Sequence, residues 1–107
     1  MTKPGPILWL YGLSGSGKST LAQTIISHYA SHPEDCRHLP IYHLDADTLR
    51  AGLNRDLGFS LQDRHENLRR AGEVAKLFSQ SGHLVIASFI TPTHIDRKML
   101  KKILIFL

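Results

Sequence analysis

The chain has 107 residues, of which 42% are hydrophobic, and a formal net charge of +4 at pH 7. This length accommodates one small domain with one core, and the apolar fraction argues against a disordered chain. Basic and acidic residues are interspersed, so a nucleic-acid partner is not indicated and a small phosphorylated ligand satisfies the positive charge equally well. The single cysteine, Cys36, excludes an internal disulfide, and no apolar stretch approaches the length of a membrane span. We therefore expect a cytoplasmic protein without a membrane partner.

The first half of the chain predicts two strands and two helices. Ile7 to Tyr11 is a short apolar run typical of a buried strand, and a helix with apolar residues at helical spacing begins near Lys18. After a proline-punctuated loop, Ile41 to Leu44 predicts the second strand, and "DADTLRAGL" predicts a short helix.

The second half predicts the longest helix and a third strand. Ser60, with Asp63 three residues later, is a capping signal for this helix, and Gly82 fits its C-terminal end. The strand is "LVIASFI", and "THIDRKMLKK" predicts the start of another helix, whereas the terminal "ILIFL" favours a buried strand. The apolar stripe of the longest helix comprises Leu68, Ala71, Val74, Ala75 and Phe78.

Strands that alternate with helices predict an α/β fold with a parallel sheet between helical layers. Ligands of such folds bind at the carboxyl ends of the strands. Three candidate segments follow predicted strands there, namely Gly12 to Thr20, Asp45 to Arg50 and Ile90 to Pro92.

The stretch "GLSGSGKST" completes the phosphate-loop pattern G-x-x-x-x-G-K-[ST]. Glycines let backbone N–H groups point at phosphate oxygens, and the following helix adds the positive end of its dipole. We expect Lys18 to reach the β- and γ-phosphates of a nucleotide and Ser19 to bind Mg²⁺. The loop alone does not separate a kinase from a GTPase, an ATP-driven motor or a passive nucleotide binder. The alternative is a glycine-rich turn with a chance lysine, but a strand precedes the stretch and a helix follows it. The predicted nucleotide-binding residues are Gly12, Leu13, Ser14, Gly15, Ser16, Gly17, Lys18, Ser19 and Thr20.

Two carboxylates leave the second strand in "HLDADTLR". Asp45 or Asp47 could face the γ-phosphate, hold a metal-bound water or orient an acceptor hydroxyl. Alternatively, Asp47 caps a helix that begins at Thr48, and both roles can coexist.

Further cations follow near the same predicted edge. Asn67 lies one helical turn from Arg64, so both can face one ligand, and arginine binds phosphate or sulfate oxygens in pairs. Each residue taken singly also fits a plainer role, a solvated charge for an arginine and a core aromatic for Phe59. The arginines concerned are Arg50, Arg64, Arg69 and Arg70.

The blocks "WLYGLSGSGKSTLA", "LDADTLRAGLNRDLGFS", "DRHENLRRAGEVAKLF" and "ASFITPTHIDR" together resemble the adenylylsulfate kinases. The resemblance implies a P-loop NTPase-like fold and MgATP-dependent phosphorylation of the 3′-hydroxyl of adenosine 5′-phosphosulfate. It implies that Lys18, Asp47 and Thr91 serve catalysis and that Asp47, with Ser19, serves the metal. The substrate site that it implies comprises Asp45, Arg50, Phe59, Arg64, Asn67, Ile90 and Thr91, with Phe59 stacked on the adenine.

The chain also differs from the family's pattern. Ala46 and Thr48 stand where the family has glycine and asparagine, and Thr91 stands where it has a serine. The family's lysine-rich lid and final helix have no counterpart, so we expect residues 1–107 to form one partial, C-terminally truncated P-loop kinase domain with reduced activity. The apolar end would then be covered by a second copy or another partner. A non-catalytic nucleotide or adenylylsulfate binder and another small-molecule P-loop kinase stay open as alternatives.

Overall fold

A computed structural model describes residues 4–11, 18–31, 39–89 and 93–104 of the chain. It confirms the predicted alternation of strands and helices. The elements in chain order are β1 (Ile7–Tyr11), α1 (Lys18–Ser31), β2 (Ile41–Asp45), α2 (Ala46–Ala51), α3 (Leu61–Gln80), β3 (Leu84–Phe89) and α4 (His94–Leu104).

The three strands form a parallel sheet in the order β1-β3-β2. At the carboxyl end of the sheet, Tyr11 is in register with Phe89, and Asp45 is in register with Ser88. The carboxyl ends of all three strands therefore lie at one edge, as the sequence predicts, and the segments that follow them emerge together.

The central strand, β3, is buried along its whole length. Helix α1 packs on β1 and β3, whereas α3 packs on β2 and β3. The chain moves two positions across the sheet from β1 to β2 and then back one position to β3, so right-handed crossovers place α1 and α3 on opposite faces. Burial on both faces explains why β3 is a continuous run of mostly apolar residues.

The core lies between the sheet and α3. The predicted stripe of α3 supplies it, with Leu68, Ala71 and Ala75 fully buried and Val74 and Phe78 packed at its margin. Two aromatic stacks extend it, one between Trp9 and Phe89, whose ring centroids are 5.2 Å apart, and one between Tyr42 and Phe78, at 4.0 Å.

Both ends of α3 follow the local signals in the sequence. The Ser60 hydroxyl accepts a hydrogen bond from the backbone N–H of Asp63 at 3.0 Å, which is the predicted N-terminal cap. Ser81 occupies the C-cap position, and Gly82 follows with a φ of 92°. That left-handed conformation suits glycine and ends the helix.

The predicted terminal strand is wrong for the part of it that the structure describes. Helix α4 continues through Ile103 and Leu104, and residues 105–107 lie outside the described ranges. A side chain added at Gly72 of α3 would meet Leu100 at 3.0 Å and Ile103 at 3.3 Å, which shows that these residues cover α3 closely. Their spacing of three residues suits a helix, so packing against α3 overrides the strand preference of the apolar run. Within the described ranges, no helix combines the length and apolar character needed to cross a membrane.

The segment before β1 is fixed by Gly5, which allows a stability prediction. Gly5 donates a backbone hydrogen bond to the Ser79 carbonyl at 2.8 Å, and a Cβ at this position would overlap the His83 carbonyl oxygen. Gly5→Ala must displace backbone, so we expect it to lower the free energy of unfolding in urea by about 2 kcal/mol or more. Gln62→Ala, at an exposed position of α3, is the control and should change it by less than about 0.5 kcal/mol. Equal effects of the two substitutions would contradict the close approach at Gly5.

Candidate functional site

A cavity of about 340 Å³ opens at the carboxyl edge of the sheet, between α2, the loop that precedes α3, and the first turns of α3. Five residues predicted for the site, Asp47, Arg50, Phe59, Arg64 and Asn67, lie around this one cavity although they are spread over 21 positions of sequence. The full lining is Ala46, Asp47, Arg50, Phe59, Arg64, Asn67, Leu68 and Phe89.

Three lining residues were not predicted for the site. Leu68 and Phe89 are almost fully buried and form an apolar floor, and Ala46 adds a small side chain at the start of α2. The sequence placed Leu68 on the apolar stripe of α3 and Phe89 in the third strand, so both were recognisable as core residues. Their position in the cavity floor depends on how β3 and the first turns of α3 pack together, which the sequence pattern does not give.

Arg50 connects α2 with the loop before α3. Its Nη1 donates to the carbonyl oxygens of Gly58 at 3.2 Å and Leu57 at 3.4 Å, and its guanidinium carbon lies 4.4 Å from the centroid of the Phe59 ring. Phe59 is nevertheless 70% exposed, so the core role that the sequence left open is wrong. Arg50 supports the ring by a cation–π contact while the ring still presents surface to the cavity.

Arg64 and Asn67 lie one turn apart on α3 and both line the cavity, as their spacing predicts. The Arg64 side chain is exposed and has no hydrogen bond or ion pair to another described residue. Asn67 is buried, and its Oδ1 accepts a hydrogen bond from Asn54 Nδ2 at 2.9 Å. The cavity thus presents an exposed cation beside an amide that the protein holds in place.

The two aspartates after β2 have different positions. Asp45 is the N-cap residue of α2, without a side-chain capping bond, and does not line the cavity. Asp47 lies in the first turn of α2 and lines it. The alternative in which Asp47 caps a helix that begins at Thr48 is wrong, because α2 already begins at Ala46.

Arg69 and Arg70 do not line the cavity, which corrects the expectation that they add cationic charge there. Arg69 donates to Glu66 at 2.6 and 2.8 Å, and Arg70 donates to Glu66 at 2.9 Å and to both carboxylate oxygens of Asp56 at 2.8 and 3.1 Å. Hydrogen bonds from Arg69 and then Arg70 lower the pKa of Glu66 to about 2, and the bond from Arg70 lowers the pKa of Asp56. These pairs fasten the loop containing Asp56 to α3.

Several residues predicted for the site lie outside the ranges that the structure describes. Gly12, Leu13, Ser14, Gly15, Ser16 and Gly17 fall outside the described ranges, as do Ile90 and Thr91. Lys18, Ser19 and Thr20 form the first turn of α1 directly after the phosphate-loop segment, but only their backbone is described. Their roles toward ATP and Mg²⁺ stay predictions, as do the substrate-site roles of Ile90 and Thr91.

A family model described as "Adenylylsulphate kinase" matches residues 4–105. The probable adenylyl-sulfate kinase of Bacillus subtilis is 50% identical over 97 residues, which cover 91% of this chain and 47% of that protein. Adenylyl-sulfate kinase 3 of Arabidopsis thaliana is also 50% identical over 97 residues, which cover 91% of this chain and 44% of that protein. The chain therefore spans about half the length of the curated relatives that it matches.

Solved structures of the same kind share the fold. The APS kinase of Mycobacterium tuberculosis in complex with AMPPNP and APS is 43% identical, with a TM-score of 0.84 over 94% of this chain and 55% of that chain. A hexameric APS kinase from Thiobacillus denitrificans is 31% identical, with a TM-score of 0.80 over 97% of this chain and 20% of that chain. The sheet and helices described above are thus those of a P-loop NTPase fold.

The Glu66 cluster predicts a specific acid sensitivity. Because the folded-state pKa of Glu66 lies below its ordinary value of 4.5, its contribution to stability is present above pH 4.5 and is lost as the pH falls toward about 2. Glu66→Gln should therefore flatten the decline in the free energy of unfolding between pH 4.5 and 2, measured by urea titration at several pH values. Glu73→Gln makes the same charge change on the same helix, at a residue with no ion pair to another described residue, and should leave the decline steep. Identical pH profiles for Glu66→Gln and the wild type would contradict the account.

Proposed function

The chain belongs to the adenylylsulphate kinase family, and from that premise we propose that it binds adenosine 5′-phosphosulfate for transfer of the γ-phosphate of ATP to the 3′-hydroxyl. The observation that carries the proposal is the cavity, which brings an exposed aromatic ring, two arginines, an amide and a carboxylate together at the carboxyl edge of a parallel sheet. Ligands of open α/β sheets bind at this edge.

The chemistry of the cavity matches the two ends of the proposed ligand. The exposed Phe59 ring is braced by Arg50, which suits stacking on a purine base. Arg64 has no protein partner among the described residues, so its guanidinium is available to the phosphate or sulfate oxygens. The volume of about 340 Å³ lies within the usual range for small-molecule sites, about 300–1,000 Å³.

The acceptor hydroxyl would lie near Asp47. Its carboxylate is the acidic group that lines the cavity, and it is exposed in the first turn of α2. In this proposal it accepts a hydrogen bond from the 3′-hydroxyl, which orients the hydroxyl oxygen toward the γ-phosphate and gives the proton an acceptor.

ATP and Mg²⁺ belong to the phosphate-loop side of the site in this proposal. Lys18 would hold the β- and γ-phosphates, and Ser19 with Asp47 would hold Mg²⁺. One carboxylate and one hydroxyl, supplemented by phosphate oxygens, suit Mg²⁺, which rarely occupies a cage made only of protein ligands. When bound, the ion neutralises charge on the transferring phosphate.

Transfer and binding are tested separately because the chain spans about half of its relatives. Radioactive label from the γ-phosphate of ATP should appear on adenosine 5′-phosphosulfate, in a Lys18-dependent manner, when the chain is mixed with the part of the Bacillus subtilis relative that it does not match. The chain alone should give less product, since a closed site excludes water and completes the catalytic groups. Absence of labelled product both from this mixture and from the chain alone would contradict the kinase proposal.

Binding should depend on the cation and the ring. Isothermal titration calorimetry of the chain with adenosine 5′-phosphosulfate should show a dissociation constant that rises about tenfold or more for Arg64→Ala, because a charged hydrogen bond is lost. Phe59→Leu should weaken binding about fivefold or more, because the stacking surface is lost while an apolar side chain is kept.

The matched control is Arg55→Ala, which removes the same charge from an exposed residue that does not line the cavity. It should leave the dissociation constant within about twofold of the wild type. If Arg55→Ala and Arg64→Ala weaken binding equally, the ligand is held by net charge and not by this cavity.

A further inference from the structure

Asn54 is a completely buried polar residue behind the cavity, in the turn after α2. Its backbone N–H donates to the Leu49 carbonyl at 2.7 Å, and its carbonyl accepts from the Leu57 N–H at 3.1 Å. Its side-chain Nδ2 donates to Asn67 Oδ1 at 2.9 Å and lies 3.4 Å from the Asn67 carbonyl oxygen. The residue therefore links the turn to the part of α3 that lines the cavity.

The contact fixes which way both amides point. Asn54 faces two acceptors, the side-chain and backbone oxygens of Asn67, so only its NH₂ group can face them without repulsion. This orientation leaves Asn54 Oδ1 buried without a hydrogen-bond partner among the described residues.

The same contact determines what Asn67 presents to the cavity. Because Asn67 Oδ1 is occupied by Asn54, its Nδ2 lies on the opposite arm of the amide. That nitrogen has no hydrogen bond to another described residue. Asn67 as a whole is buried, but this nitrogen retains some exposed surface. It therefore keeps access to the cavity that Asn67 lines.

We propose that Asn54 is a positioning residue that locks the Asn67 amide with its NH₂ group toward the ligand, so that Asn67 acts only as a donor. This inference rests on the proposed function, in which the ligand is adenosine 5′-phosphosulfate. The locked amide selects an acceptor atom, such as a ring nitrogen or an anionic oxygen, and disfavours a ligand that places a donor there.

The decisive variant is Asn54→Asp, measured at about pH 8 so that the introduced carboxyl is ionised, which keeps the shape of the side chain but removes its donor. The Asn67 amide should then turn so that its NH₂ group donates to the introduced carboxylate, and its oxygen should face the ligand. We expect the dissociation constant for adenosine 5′-phosphosulfate to rise about three- to tenfold, the effect of one hydrogen bond. Asn67→Ala should weaken binding similarly, and the double variant should be no weaker than Asn67→Ala, since Asn54 acts through Asn67.

Ser79→Ala separates positioning from simple loss of stability. Ser79 is also fully buried and donates a hydrogen bond, to the Gly5 carbonyl at 2.6 Å, but it lies 12 residues or about 18 Å along α3 from Asn67. It should lower the urea midpoint without changing the dissociation constant. Additive effects of Asn54→Asp and Asn67→Ala, or an unchanged dissociation constant for Asn54→Asp, would overturn the proposal.

Side-chain amide resonances of ¹⁵N-labelled protein give a readout that does not need the ligand. The NH₂ protons of Asn54 should exchange slowly with solvent and those of Asn67 faster, and adenosine 5′-phosphosulfate should shift the Asn67 pair more. If the wild type does not bind adenosine 5′-phosphosulfate, the proposed function fails. The exchange rates then test the orientation of the Asn54 and Asn67 amides without a ligand. Slower exchange at Asn67 than at Asn54 would overturn the proposed orientation of the two amides.

Discussion

The site depends on the pairing of β3 with a parallel strand on each side. Every residue of this strand is buried, and its neighbours β1 and β2 run in the same direction, so the three carboxyl ends share one edge. Phe89, the last residue of β3, is both part of the core and part of the cavity floor. Apolar burial therefore fixes the position of the edge at which the polar residues of the cavity gather.

Polar contacts, rather than the core, then arrange the loop between α2 and α3. The N–H of Gly58 donates to Asp63 at 2.8 Å, Arg50 donates to the carbonyls of the same loop, and the Asp56 carboxylate is paired with Arg70. These groups are partly exposed, so each contact contributes modestly, but together they define one position for the loop that carries Phe59. The buried link between Asn54 and Asn67 completes the same function from behind the cavity.

Most of the fold could be predicted because its signals are local. The three strands, the Ser60 cap and the apolar stripe of α3 each depend on residues close together in sequence. Strand order, the pairing of Arg70 with Asp56, and the Asn54–Asn67 contact depend on how segments that are separated in the sequence meet, which periodicity does not encode. The run "ILIFL" shows the same limit, because its first two residues lie in α4 and Ile103 contacts α3. Five of the residues predicted for the site line one cavity, and Asp45 does not.

The central claim is that the cavity at the carboxyl edge of the sheet binds adenosine 5′-phosphosulfate. Chemical-shift mapping of the ¹⁵N-labelled chain during titration with this compound tests it most directly. The account predicts that the backbone amides that shift most are those of Asp47, Arg50, Phe59 and Asn67, which surround the cavity. Shifts confined to the groove between α3 and α4, near Glu73 and Lys98, would contradict it.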